Sequence, residues 1–303
     1  MSRNPLNAAM VAALPLMPRT LVWRISRRYI AGVSLADALA TVKHLNERGV
    51  CATLDVLGED VSRPDQVAEA AALYRRALDL IAEQRLDCNV SIKLSEMGLR
   101  FDEELCRRTM ADLVARAEDR GNFVRIDMED SSVTDVTLDI YRELRSRYPR
   151  VGTVLQACLR RTSDDVAALL AEGVAHLRLC KGIYIEPAEI AFTRREDVAA
   201  SFRQLLEALL AGGCEKLGIA THDPALVRDA LAALERMAVP RGRYEFQMLL
   251  GVAERLRDEL VDAGHPLRVY VPFGEHGFAY SSRRLRENPT IAGHVAKNLF
   301  LRR

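Results

Sequence analysis

Near the end of the chain, Tyr280, Arg283, Arg284 and Glu287 fall at i, i+3, i+4 and i+7, the spacing that puts four side chains on one helical face. They follow a β-branched run ending at Pro272 and a loop that carries Gly274 and Gly277. Two adjacent guanidiniums beside an aromatic ring suit a bidentate grip on a carboxylate or phosphate. The same pattern is also that of a solvated basic helix in a chain with 43 Lys+Arg. Lys93 and Arg178 interrupt otherwise apolar, strand-like runs. A charge there is costly to bury unless paired, so each marks either a site or a satisfied ion pair. His222, in the run A-T-H-D, can serve as a base, a donor to a cofactor phosphate or a metal ligand. None of the chain's histidines has an H-x-H or H-E-x-x-H partner, which disfavours a metal. Lys93 or Lys181, if desolvated, would be suited to Schiff-base chemistry.

Such scattered residues need a scaffold that gathers them. From residue 50 onward, short β-rich runs at 50–57, 89–94, 123–128, 151–157, 176–180, 216–221, 243–247 and 267–271 predict eight strands. Amphipathic stretches at 66–83, 103–120, 133–147, 163–172, 189–211, 224–236 and 252–263, then the stretch with Tyr280, alternate with them. Helix starts are expected at Ser62/Pro64, Ser163/Asp164 and Asp223/Pro224. Eight βα units without a long linker imply a parallel sheet closed into a single-domain (β/α)8 barrel, with a doubly wound sheet as the alternative. Residues 1–45 are expected to form short N-terminal helices outside the barrel of 50–290; the apolar run 7–17 loosely imitates a signal peptide, but Pro15 and Pro18 break it.

Barrel active sites lie at the strand C-terminal ends. That rule collects Glu59 and Asp60 after strand 1, Lys93 at strand 2, and Asp127, Glu129 and Asp130 at strand 3. Gln156 ends strand 4, Arg178 lies in strand 5 before Lys181, Gly182 and Tyr184, and Thr221, His222 and Asp223 end strand 6. Gln247 and Leu249 end strand 7, and Tyr270 sits in strand 8. A formal net charge of +1 provides no field for nucleic acid or an anionic membrane. The six cysteines lack any C-x-x-C pair and read as reduced thiols of a cytoplasmic protein. Without a G-x-G-x-x-G or P-loop after a strand, a nucleotide cofactor must lie along the rim. Taken from the residues alone, the reading ends at a cationic barrel mouth for a small anion.

The ordered series L-G-E (57–59), S-I-K-L-S (91–95), I-D-M-E-D (126–130), L-Q-A (155–157), L-R-L-C-K-G-I-Y (177–184), A-T-H-D (220–223), Y-E-F-Q-M-L-L-G (244–251), Y-V-P-F-G (270–274) and Y-S-S-R-R-L-R-E-N (280–288) closely resembles the proline dehydrogenase family, about one motif per strand. The resemblance implies a distorted TIM-type barrel that binds FAD and oxidises L-proline to Δ1-pyrroline-5-carboxylate, passing electrons to a quinone. It assigns Lys93, Arg283 and Arg284 to the substrate carboxylate and Glu59 to an ion pair that closes over it. Tyr270, Tyr280 and Leu249 become walls around the ring, with Asp127 and Glu287 as polar supports. Arg178 would meet flavin N5 and Gln156 the flavin edge. Lys181, Gly182 and Tyr184 would follow the cofactor, and Thr221 and His222 its phosphate and ribose portion.

The resemblance also implies the single-function form, with a separate pyrroline-5-carboxylate dehydrogenase downstream. Tyr270 favours proline over hydroxyproline, whose relatives carry a smaller residue there. Ile185, where some relatives have an aromatic, and Ser281-Ser282, in place of apolar residues, depart from the pattern. The basic, one-sidedly apolar tail 293–303 is suited either to peripheral contact with the membrane's inner face or to packing on its own domain. A Schiff-base barrel lyase and a non-catalytic binding barrel remain as competing functions.

Overall fold

The computed structural model describes residues 28–58 and 61–274. Eight parallel strands close in sequence order: β1 Cys51–Val56, β2 Cys88–Ile92, β3 Val124–Ile126, β4 Val151–Gln156, β5 His176–Cys180, β6 Lys216–Ala220, β7 Tyr244–Leu249 and β8 Leu267–Phe273. The helices are α1 Leu35–Asn46, α2 Pro64–Glu83, α3 Glu103–Asp119, α4 Thr134–Arg145, α5 Thr162–Ala171, α6 Arg195–Ala211, α7 Pro224–Arg236 and α8 Glu254–Asp262. The closed (β/α)8 barrel expected from the alternation is the observed fold.

Local chemistry explains most boundaries. A reciprocal capping box opens α1: Ser34 Oγ accepts from the Asp37 N–H, and Asp37 accepts from the Ser34 N–H. At α7 the Asp223 carboxylate caps the Ala225 N–H ahead of Pro224. Of the starts that differ from expectation, two have a visible tertiary cause. Helix α5 begins at Thr162 rather than Ser163, because the Thr162 hydroxyl donates to the Gln156 carbonyl at 2.6 Å and ties the first turn to the end of β4. Helix α6 begins at Arg195 rather than 189, because Ala191 bridges Leu159 and the Phe192 N–H donates to the Cys158 carbonyl, holding that stretch on the β4–α5 loop. Strand β8 runs on to Phe273 since it pairs with β1 through Val56↔Phe273.

Helix α1 packs on β8 and β1 through Ala38, Leu39, Val42 and Leu45, so this segment belongs to the barrel wall instead of lying outside it. The apolar layer sits between the sheet and the helices, where Tyr74, Tyr141, Phe202 and Phe246 are fully buried. Alternate strand residues turn the other way, and many are charged or polar: Ser91, Asp127, Arg178, Gln247, Glu245 and Arg268 are linked by hydrogen bonds across the barrel, Asp55 pairs with Lys93, and Arg125 donates to the Thr153 carbonyl. A (β/α)8 interior is more often filled with branched aliphatics. Here a chain of ion pairs and amides replaces them.

Gly218 of β6 makes room for that chain. A Cβ there would lie 2.5 Å from Gln247 Nε2, and Gln247 is fixed at both ends, donating to Glu245 at 2.6 Å and accepting from Arg178 Nε. Gly218→Ala should therefore displace Gln247 and destabilise the protein by about 1–3 kcal/mol, the usual range for overpacking. Urea unfolding checks this, and a loss below about 0.5 kcal/mol would show that the interior repacks freely.

Candidate active site

Arg178 is the hub of the barrel mouth. Its NH1 donates to Asp127 Oδ1 at 2.7 Å and to Ser91 Oγ at 3.3 Å, while its Nε donates to Gln247. The guanidinium stands over the Tyr270 ring, 5.6 Å from the centroid. Asp127 also accepts from Ser91 Oγ at 2.6 Å and from the Tyr270 hydroxyl at 2.8 Å. Burial alone would raise the Asp127 carboxyl, but Arg178, Lys93 and these hydrogen bonds outweigh it and hold the group below the usual carboxylate range.

Lys93 follows β2 directly. Its Nζ lies 2.5 Å from Asp55 Oδ1 and 3.9 Å from Glu96 Oε1, with both carboxylates buried. Burial opposes its charge, yet the acidic groups around it, Asp55 first among them, push its pKa well above the ordinary lysine value. A lysine held protonated is a cation for a ligand and a poor Schiff-base nucleophile.

The remaining described candidates lie on the other side of the rim. Gln156 donates through Nε2 to the Glu129 carbonyl at 2.8 Å. Gly182, at φ +92°, packs so closely that a Cβ would fall 2.2 Å from Cys158 Sγ and 3.1 Å from Gln156 Oε1. Lys181 donates to Asp223 at 2.7 Å, and Thr221 Oγ1 accepts from the Asp223 N–H. His222 Nε2 accepts the Leu249 N–H at 2.8 Å, which fixes the ring against the end of β7 and removes that nitrogen as a metal ligand. Among the described residues no cluster of His, Cys, Asp and Glu could hold a metal ion. Tyr184 is half-buried in the loop after β5, while Ile185 is 99% exposed.

The candidates thus fall into two arcs. Gln156, Lys181, Gly182, Tyr184, Thr221 and His222 follow the adjacent strands β4, β5 and β6; Lys93, Asp127, Leu249 and Tyr270 belong to β2, β3, β7 and β8. Arg178 lies in β5 and reaches Asp127, Ser91 and Gln247 across the barrel. Glu59, Tyr280, Arg283, Arg284 and Glu287, with Ser281 and Ser282, lie outside the described residues. Sequence reasoning missed Asp55, Ser91, Glu96 and the Glu245–Arg268 pair. Asp55, Glu245 and Arg268 sit at alternate strand positions with inward-facing partners, a period-2 signal that was available; Glu96 follows the strand and has none.

A closed parallel barrel with a buried cation hub at its C-terminal rim defines an enzyme of the (β/α)8 class. The chain belongs to the proline dehydrogenase family: the family profile described as "Proline dehydrogenase" matches residues 38–297. It is similar to proline dehydrogenase 1 of Bacillus subtilis subsp. natto, with 35% identity over 90% of each chain, and to the proline dehydrogenase of Deinococcus radiodurans, with 33% identity over 93% of this chain and 92% of that one. Its fold matches the crystal structure of proline utilization A (PutA) from Bdellovibrio bacteriovorus inactivated by N-propargylglycine, at a TM-score of 0.82 and 25% identity. That match covers 91% of this chain and 34% of the larger protein, so this chain spans about a third of it. As the family implies, the protein is an oxidoreductase.

Asp127→Asn should leave Arg178 buried without a carboxylate and cost about 3–5 kcal/mol. Because the Asp127 pKa is lowered on folding, its contribution is present above the ordinary carboxyl range and is lost as pH falls through the lowered folded value. The stability gap between wild type and Asp127→Asn should accordingly narrow on acidification below about pH 4. Chemical denaturation at stepped pH reads both effects; a gap that widens in acid would contradict the pairing.

Proposed function

We propose that this enzyme oxidises L-proline to Δ1-pyrroline-5-carboxylate, with FAD as hydride acceptor and a quinone as onward electron acceptor. A separate pyrroline-5-carboxylate dehydrogenase would then complete the conversion to glutamate. The observation that carries this reading is the two-arc rim bridged by Arg178, which suits an elongated cofactor on one side and a small carboxylate on the other. The names of the relatives, at 33–35% identity across nine-tenths of each chain, support proline as the substrate.

In this reading Lys93, Arg283 and Arg284 hold the proline carboxylate, and Glu59 pairs with Arg283 to close the mouth. Tyr270, Tyr280 and Leu249 flank the pyrrolidine ring, while Asp127 and Glu287 support the polar side. Gln156, Lys181, Gly182, Tyr184, Thr221 and His222 would hold FAD along β4–β6. The donors there fit a flavin nucleotide: Lys181 is a cation at the rim, and the close approach of Gly182 keeps the loop low against Gln156. FAD, when bound, accepts the hydride that leaves proline C5. Arg178 presents a fixed positive charge where negative charge would accumulate, already oriented by Asp127 and Gln247, so it needs no reorganisation during the step. The substrate amine must be neutral to expel hydride, so the rate should rise above neutral pH. Among the described residues no helix is long and apolar enough to cross a membrane. The basic, one-sidedly apolar stretch 293–303 supports peripheral contact with a quinone-bearing membrane in this reading.

The visible spectrum under anaerobic conditions tests the proposal. Purified protein should show flavin absorbance that bleaches on addition of proline; absence of flavin after supplementation would sink it. A colourless protein trapped by borohydride with substrate would instead support the lyase, against which the protonated state of Lys93 already argues. A flat rate profile across about pH 6 to 9 would speak against a neutral amine in the rate-determining state. Arg284→Met should weaken proline binding by on the order of 2–5 kcal/mol while flavin stays bound. An unchanged proline requirement would remove Arg284 from the clamp.

A further inference from the structure

Glu96 is 1% exposed and stands in the short 3-10 turn Leu94–Met97 that follows β2. Its surroundings fix where a proton must be. The β1–β2 ladder is in register from Ala52↔Cys88 to Leu54↔Val90, and beyond that the Tyr74 hydroxyl, reaching in from α2, spans the two strands. The Val56 N–H donates to Tyr74 Oη at 3.1 Å, and Tyr74 Oη donates to the Ser91 carbonyl at 2.9 Å. A phenol has one proton to give, and a carbonyl has none. Glu96 Oε2 lies 3.2 Å from the same Tyr74 oxygen, so that contact is a hydrogen bond only if Glu96 supplies the proton. Turning the phenol proton toward Glu96 would instead leave the buried Ser91 carbonyl against a lone pair at the shorter of the two distances.

The charges point the same way. Facing Glu96 among the described groups are Lys93, which is 1.4 Å closer to Asp55 (3.9 against 2.5 Å), and the carboxylates of Asp55 and Glu129, with Tyr74 on the third side. One lysine cannot compensate both Asp55 and Glu96. Burial comes first among the causes that push the Glu96 carboxyl well above the usual range, with Asp55 and Glu129 adding to it and Lys93 and the Gly58 N–H opposing.

We infer that Glu96 is a neutral carboxylic acid in the folded protein, holding its proton on Oε2 and donating it to Tyr74 Oη, and that it thereby leaves Lys93 paired with Asp55 alone. Glu96 is then a positioning residue. If the proposed carboxylate clamp is right, on which this consequence rests, the set Lys93, Asp55 and Glu96 presents no net charge to the incoming substrate instead of an excess negative one.

Glu96→Gln tests the proton. The amide keeps the acceptor for the Gly58 N–H and replaces the acid proton with an N–H aimed at Tyr74. Wild type, purified as the full chain with whatever cofactor it retains, binds a proton at Glu96 in the folded state that the unfolded chain has already released above about pH 4.3. The stabilisation from that proton is complete below the unfolded pKa and is lost as pH rises through the raised folded pKa. Relative to Glu96→Gln, the folding equilibrium of wild type should therefore weaken by up to about tenfold per pH unit across that window. A gap that is flat with pH, or that moves in favour of wild type as pH rises, would overturn the inference. Infrared spectra of wild type labelled with carboxyl-13C glutamate give a second readout that needs no folded variant: a buried, un-ionised glutamic carbonyl at neutral pH is expected, and only ionised glutamate bands would refute it. The label excludes Asp55, and neither readout uses proline, so a failure of the proline reading would be seen separately.

Discussion

The buried contact between Arg178 and Asp127 is the constraint around which the barrel interior is arranged. Bringing both charges out of water costs several kcal/mol per ion, and their attraction offsets this only with good geometry and with the remaining donors and acceptors satisfied. The sequence supplies those partners from three other strands. Ser91 and Tyr270 complete Asp127, and Gln247 completes Arg178. Gln247 is held in turn by Glu245, and Glu245 by Arg268 at 2.7 Å, an ion pair that depresses the Glu245 carboxyl to about 2 against the cost of burial. Removing any one link leaves a polar atom stranded in a site of low dielectric, so the network behaves as a unit.

That unit explains why a charged interior is tolerated where aliphatic packing is the norm. Arg125 marks how far the tolerance extends. Among the described residues no carboxylate forms an ion pair with it; one guanidinium nitrogen donates to the Thr153 and His176 carbonyls while its buried Nε has no partner, and burial with Arg178 nearby lowers its pKa to about 9. Beside it, burial first and Arg125 second keep His176 neutral, with a pKa of about 2. Arg125 thus adds a positive charge on the strand that leads into Asp127, while His176 beside it adds none. Orientation is set before any ligand arrives, because each cation already has a fixed partner: Asp55 for Lys93, Asp127 for Arg178 and Asp223 for Lys181.

Much of this was legible in the sequence. The alternation of β-rich and amphipathic stretches gave eight strands in their observed order, since both signals depend on burial periodicity, which the barrel imposes directly. Lys93 and Arg178 stood out because charge inside an apolar run demands a partner, and Asp127 lay at the next strand end. What the sequence concealed was pairing across the barrel. Asp55, Glu245 and Arg268 alternate with apolar neighbours, but nothing local says that Glu245 meets Arg268 rather than water. Tyr74 reads as an ordinary core position of an amphipathic helix, and only the fold brings its hydroxyl to the gap between β1 and β2. The late start of α6 and the one-residue shift of α5 likewise come from tertiary contacts at Ala191 and Thr162 that no propensity encodes.

In the proposed function Arg178, fixed by Asp127 and Gln247, separates a cofactor arc on β4–β6 from a carboxylate arc that includes Lys93. A crystal structure with FAD and an unreactive cyclic amino acid bound together would test it most directly. The flavin is expected across the ends of β4, β5 and β6 with its reactive edge at Arg178, and the ligand carboxylate within ion-pair distance of Lys93. A flavin bound over β1–β3, or a carboxylate seated against Lys181 instead, would contradict it.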